Sequence, residues 1–367
     1  MANTRVTNPV TGFNSATEEG LKLPSGTNAN LPTGVQGMIR NDTDENTGGS
    51  ASAIEHHNGT NWQYFAATES ADPVLVDYLV IAGGGGGGSS TGASGSGGGA
   101  GEYLTSIGGT SLQLEANITY NVTVGAGGAG GAGGVATNGT SGSNSQFISS
   151  TYLARGGGAG TCYSVSTASI PGGSGGGADT QNMAGGASTA VSPGLGFAGG
   201  ATGAHGGVYP SAGGGGAGAV GEYAAGTSGG GDGGAGVSTS ITGTSAFYAA
   251  GGGGGLFGPS GYTNVGIGGS SIGGSSSLTG NASGGAANTG SGGGGGSISP
   301  GTPFQVSFGG GSGADGIVIL RYPIANNVNI VTGTSPIAAD LNTTVAGSTT
   351  EKFTRFTATG AVTFTIT

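Results

Sequence analysis

Glycine supplies 93 of the 367 residues, gathered in runs that short apolar or aromatic words interrupt. No residue loses more backbone freedom on folding. A chain built this way either stays disordered or holds its glycines in an arrangement that only glycine permits. A flexible linker would carry Gly and Ser with nothing to bury. Here Tyr78-Leu79-Val80-Ile81, Tyr120-Asn121-Val122-Thr123-Val124 and Ile317-Val318-Ile319-Leu320 stand between the runs and read as strands. Gly125 to Gly134 adds a three-residue rhythm, the period of a polyproline II helix, which has no internal hydrogen bonds. Without side chains such helices can pack closely and hydrogen-bond to one another, satisfying their buried backbone groups. Collagen would need a strict Gly-X-Y repeat and far more than 12 prolines. The expected fold is all-β with essentially no α-helix: a glycine-rich body of packed polyglycine II helices bounded by β-strands.

Charged residues make up only 7% of the chain, the net charge is −10, and of seven basic residues only Arg155 lies between Asn41 and Leu320. A nucleic-acid partner therefore has no electrostatic footing. Cys162 is the single cysteine, so no internal disulfide forms, and a small side chain at a loop edge is expected. The start, Met1-Ala2-Asn3-Thr4-Arg5, lacks the apolar core of a signal peptide, and no apolar run is long enough to span a membrane. The reading is a chain with no membrane insertion that reaches the cell exterior, if at all, within a larger particle.

Three regions are expected. Residues 1–71 alternate turn formers with short strand-like words such as Met38-Ile39-Arg40 and Trp62-Gln63-Tyr64-Phe65, with Asn58-Gly59-Thr60 as a hairpin turn; they read as a small N-terminal β module. Residues 72–323 are the glycine-rich body. Residues 324–367 read as a C-terminal β hairpin, because Val362, Phe364 and Ile366 alternate with Thr363, Thr365 and Thr367 after Lys352-Phe353-Thr354-Arg355-Phe356.

Several motifs suggest chemistry and fail on their context. Leu79-Val80-Ile81-Ala82-Gly83 with its following glycines mimics a dinucleotide fingerprint, with Glu102 about 20 residues on, but Ser89 to Gly101 has no helical period to aim at a pyrophosphate. Gly310 to Val318 fits one calcium-binding nonapeptide but has no adjoining copy to complete a ligand shell. His56 and His57 are adjacent, so a strand would point them to opposite faces, and His205 stands alone. Glu102, Glu115, Asp179, Glu222, Asp232 and Asp315 are scattered singly, with no positioned pair for glycoside hydrolysis. No enzyme, cofactor or metal is expected.

The aromatics in the words between glycine runs are the candidate contact residues: Tyr163, Phe197, Tyr209, Phe247, Tyr248, Phe257 and Tyr262. They either plug the ends of the glycine sheaf or present contact area to a partner. Rigid aromatics supply such area at low entropy cost, and a rigid scaffold bearing variable loops suits recognition.

Two stretches resemble phage virion proteins. Leu21-Lys22-Leu23-Pro24-Ser25-Gly26-Thr27, Gly37-Met38-Ile39-Arg40-Asn41-Asp42-Thr43, Ile54-Glu55-His56 and Asn58-Gly59-Thr60-Asn61-Trp62 resemble a module that recurs in tail-fibre and appendage proteins, notably of marine phages. Val76-Asp77-Tyr78-Leu79-Val80-Ile81-Ala82 and Asp315-Gly316-Ile317-Val318-Ile319-Leu320-Arg321-Tyr322-Pro323 are similar to the words that open and close the glycine-rich domain of phage fibres and adhesins. The resemblance implies a virion protein, a homotrimeric tail fibre or adhesin that attaches through its N-terminal region to other virion structural proteins. A polyglycine II core would then carry loops to a host cell-surface glycan or protein. A head fibre or capsid decoration protein is the first alternative, a cell-surface or ice-binding glycine-rich protein the second, and a depolymerase the last.

Overall fold

The computed structural model describes residues 73–163, 168–179, 182–226, 229–258, 261–299, 305–333 and 341–367, together with strand segments and Thr60 within the first 72 residues. The chain divides into two compact units, Met1–Ala71 and Asp72–Thr367. In the first, β1 (Ser25–Gly26), β2 (Ile39–Asp42), β3 (Ala53–His57) and β4 (Trp62–Tyr64) form one sheet in that order. β1 pairs parallel with β2, and the other pairings are antiparallel. His57 stands opposite Trp62, so the chain reverses between them; Asn58, Gly59 and Asn61 of the expected turn lie outside the described residues.

The second unit joins a β-sandwich to a glycine bundle. One sheet runs β19 (Thr343–Thr344), β20 (Glu351–Phe356), β17 (Ile317–Pro323), β5 (Val74–Ile81), β6 (Tyr103–Thr105), with β7 (Leu112–Leu114) also on β5. The other runs β10 (Leu153–Ala154), β9 (Ser145–Phe147), β8 (Thr119–Val124), β21 (Gly360–Ile366), β18 (Val328–Thr332). All of these pairings are antiparallel, and no sheet closes into a barrel. Alternation explains the sequence words: Val122, Phe364, Ile366, Val80, Leu320 and Phe356 face one another between the sheets. Leu79, Ile81, Ile317 and Ile319 point the other way and pack on Tyr248 and Ile241. Residues 78–81 of β5 and 317–320 of β17 are unbroken apolar runs because both faces are buried there. Tyr322 donates its hydroxyl to Asn342 Oδ1 at 2.7 Å, and burial pushes its pKa up to about 12.

The two C-terminal strands do not form the expected hairpin. β20 pairs with β17 and β19, whereas β21 pairs with β8 and β18 in the opposite sheet. Residues 357–359 therefore cross from one layer to the other. Both strands alternate as a hairpin would, but each sheet offered a neighbour with a complementary apolar face. They belong to the same compact unit as the glycine-rich residues.

Between β5 and β17 the chain traverses the bundle repeatedly, and hydrogen bonding there follows a period of three. Along 83–89 the N–H groups of Gly83, Gly86 and Ser89 donate to Ser143, Thr140 and Thr137; those of Gly84 and Gly87 to Ala314 and Gly311; those of Gly85 and Gly88 to Gly99 and Ser96. Their carbonyls rotate in step: Gly83 and Gly86 accept from Gly157 and Gly160, Gly84 and Gly87 from Gly128 and Gly131, Gly85 and Gly88 from Gly293 and Gly296. One segment is thus bonded to six neighbours, at 2.8–3.0 Å for these donors and acceptors, and each residue turns its donor by a third of a revolution. This is the polyglycine II lattice.

The segment 95–102 is enclosed in the same way, donating toward 290–296, 155–161 and 212–215 and accepting from 82–88, 252–255 and 174–177. Residues Ile81–Ser90 and Ala93–Leu104 are buried throughout. The interior of this body is backbone. A β-carbon at Gly87 would sit 2.0 Å from the carbonyl oxygen of Gly294, and one at Gly86 2.0 Å from that of Ala129. At the margin the rule relaxes once per turn: along 125–132, Ala126, Ala129 and Ala132 turn outward while Gly128 and Gly131 are buried. Among the described residues the only helical segments are the short 3-10 turns Ser150–Tyr152 and Gly269–Ser271.

Candidate functional site: an aromatic cluster at the end of the bundle

Because segments cross the bundle from end to end, the words between them collect at two ends. Ile81 leaves the sheet and Ser89 ends the first crossing, so the turn at 90–93 lies at the end remote from the sandwich. Ser94 Oγ donates there to the carbonyl of Tyr209 at 2.5 Å and hydrogen-bonds Ser211 Oγ at 2.7 Å. β11 (Tyr209–Pro210) pairs at this end with β14 (Leu256–Phe257), and β15 (Ile298–Ser299) with β16 (Val306–Ser307).

The β11–β14 register sets Tyr209 directly opposite Phe257, and their rings stack with centroids 5.8 Å apart at 18°. Tyr163 meets Tyr209 edge-on at 6.0 Å, and the His205 ring lies 5.5 Å from it. Tyr163 is 41% exposed. Tyr262 adjoins the same group, since a β-carbon on Gly258 would touch both Tyr262 and Val208. Stacked and edge-on rings hold one another rigid. Four of the seven candidate aromatics, Tyr163, Tyr209, Phe257 and Tyr262, are thereby gathered on one uncharged surface. Flanking turns use Gly207 and Gly261 at φ +86° and +105°, with open space where a side chain would go.

The other three candidates lie at the sandwich end. Phe197 N–H donates to Gly216 O, next to Ala217. Phe247 and Tyr248 belong to β13 (Ala246–Tyr248), which pairs with β12 (Val237–Thr239). Phe197 and Phe247 are exposed, but Tyr248 is buried against the sheet. Tyr223, which the sequence reading passed over, is more than half exposed, and its hydroxyl lies over Gly203. The signal was present, because Val220-Gly221-Glu222-Tyr223 is another aromatic word between glycine runs.

His205 belongs to the cluster through its ring contact with Tyr209. Both its ring nitrogens are buried with no hydrogen-bond partner among the described residues, and burial lowers its pKa below the usual imidazole value. It is an aromatic surface at neutral pH. Four of the six scattered acidic residues, Glu102, Glu222, Asp232 and Asp315, prove to be backbone caps. Glu102 accepts from the N–H groups of Arg155 and Val191, each at 3.0 Å, Glu222 from Asp232, Asp232 from Ile267 and Asp315 from Gly127. A carboxylate near the end of a polyglycine segment takes up a donor that the lattice no longer reaches. This accounts for Asp315 in the calcium-like nonapeptide, and among the described residues no three metal-ligating side chains cluster. Cys162 is buried, and its N–H donates to Asn138 Oδ1 at 2.9 Å.

Among the described residues no helix is long and apolar enough to cross a membrane. A family model described as a glycine-rich domain matches residues 58–323. No curated protein matches the chain.

Proposed function

We propose that this chain, which belongs to the glycine-rich domain family, is a virion fibre or adhesin, anchored through its N-terminal unit and contacting the host surface with the aromatic end of its bundle. The observation that carries this reading is the Tyr163–Tyr209–Phe257 cluster, a rigid apolar surface on the end of a scaffold that is itself rigid. Aromatic side chains held in place are what a recognition surface uses, because little freedom is lost when a partner arrives. The bundle acts as a spacer whose satisfied backbone leaves few openings for a protease. The stretches at about residues 21–65 and 76–323 that resemble phage fibre proteins support the particle, and by the same resemblance the assembly is a homotrimer. No catalysis is proposed.

Two experiments test this. Gold-labelled antibody against the chain is expected to mark the tail of intact particles; label over the head would make it a capsid decoration protein, and unlabelled particles would remove the virion reading. Tyr163→Ser together with Phe257→Ser is expected to lower particle adsorption by about tenfold, as the loss of one anchor side chain does at an interface, with unchanged melting of the isolated protein. Full adsorption by that variant would place the contact elsewhere.

A further inference from the structure

At the sandwich end, the hairpin of β12 and β13 stands off the outer edge of β6, and the two bound a cleft of about 420 Å³. No charged residue lines it. Tyr103, Thr105, Ser238, Thr239, Ser240 and Ser245 bring hydroxyls to its walls, and Ile107 and Leu195 add aliphatic surface. We propose that this cleft binds a neutral monosaccharide unit.

Two groups in the cleft point to a ligand. The first is Thr239, which is only 8% exposed and whose hydroxyl is buried with no hydrogen-bond partner. An orphaned buried hydroxyl is costly to keep, and this one belongs to the wall of the cleft. The Tyr103 hydroxyl faces it: burial raises the Tyr103 pKa and Thr239 opposes the rise, yet the pair closes no hydrogen bond. The second is the backbone of Thr105. Tyr103 exchanges its N–H and C=O bonds with Leu195, at 3.0 and 2.8 Å, on the side away from β5. Thr105, two residues on, turns its N–H and C=O the same way, and there they meet no described residue. A donor and an acceptor on a fixed strand are thus open to the cleft.

The lining selects the ligand. Hydroxyl side chains both donate and accept, so they match partners that do both, as the hydroxyls of a sugar do. Ile107 and Leu195, 38% and 41% exposed, cover the apolar C–H face of a ring, the division of labour usual in small-ligand sites. A charged ligand would give up water and find no counter-charge. An extended peptide added to β6 is a poorer fit. Leu195 already occupies Tyr103, which leaves Thr105 as a single open rung, whereas strand addition draws its affinity from a row of main-chain bonds. The site is separate from the aromatic end of the bundle and does not depend on the virion reading.

The probes are the methyl glycosides of glucose, galactose, mannose and N-acetylglucosamine, with methyl glucuronide and methyl glucosaminide as charged counterparts. Each is titrated on the full chain by ligand-observed NMR and calorimetry. Saturable binding of at least one neutral glycoside is expected, with Kd of about 1 mM, the strength of a few neutral contacts. Thr239→Val removes the hydroxyl and keeps the shape. It should weaken that glycoside about tenfold, the size of one hydrogen bond to a buried group, while the protein melts no lower, because an orphaned oxygen has gone. Ser240→Trp, at an exposed turn position, should fill the mouth and abolish binding, and it remains informative if the threonine variant misfolds. No saturable binding of any neutral glycoside, charged sugars bound as tightly as neutral ones, or undiminished binding by either variant would each overturn the proposal. An extended neutral hexapeptide bound at this cleft where no sugar binds would do the same and make it a strand-docking edge.

Discussion

Gly87→Ala is expected to leave no cooperatively folded protein, although it adds one methyl group. That group would lie 2.0 Å from the Gly294 carbonyl oxygen, far inside contact distance, and the obstacle is backbone. The oxygen already accepts from Gly311 N–H at 2.8 Å, and the segment that bears it is bonded on its other sides to 95–98, 253 and 85–88. Relief would require moving a whole segment against every neighbour at once. The cost should pass the roughly 1–3 kcal/mol usual for an overpacked interior and reach about 4 kcal/mol or more, an exceptional loss for one substitution. Ala129→Ser is the control: it lies on the outward third of 125–132 and should change stability by less than about 0.5 kcal/mol. Gly128→Ala falls between them. Its β-carbon would meet Thr140 O at 1.8 Å, but the neighbour lies at the margin and can yield. Thermal melting of the three variants reads the order directly, and an unperturbed transition for Gly87→Ala would refute a lattice closed on six sides.

The second large effect is at the chain terminus. Ending the protein after Thr359 removes β21, the strand that holds β8 on one side and β18 on the other. Phe364 goes with it, a fully buried ring packed at 5.6–6.4 Å on Phe356, Tyr120 and Phe147. Phe364→Ala alone should cost about 3–5 kcal/mol, as large-to-small changes in a filled core do. The truncation should yield a chain without near-UV circular dichroism or a cooperative denaturant transition. A truncated protein that melts like the full chain would show that β21 is an accessory.

Much of this architecture was legible in the residues. The three-residue rhythm of Gly125 to Gly134 announced the lattice, and the apolar words at 78–81 and 317–320 announced strands, though not that both faces of those strands are buried. The pairing of β20 and β21 was not legible. Period-two alternation marks a strand but not its partner, and two strands with a short connection suit either one sheet or two facing ones. The split of the aromatic residues was equally hidden. Which end of the bundle a word occupies depends on how many full crossings precede it, and irregular stretches such as 264–286 break that count. The carboxylate caps had a signal in the sequence: Glu102 and Asp315 adjoin glycine where a lattice segment ends, and Asp232 stands between glycines inside one.

An interior made of peptide groups also changes how the molecule should respond to temperature. Exposing apolar surface raises the heat capacity of a protein and exposing polar surface lowers it, by about +0.45 and −0.26 cal/K/mol/Å². Unfolding the bundle exposes mostly the second kind, so its heat-capacity increment should fall below the customary value of about 12–15 cal/mol/K per residue. A small increment flattens the stability curve. The bundle would then lose little of its stability on cooling, where oil-like cores weaken, and glycine would be the residue of a scaffold indifferent to cold.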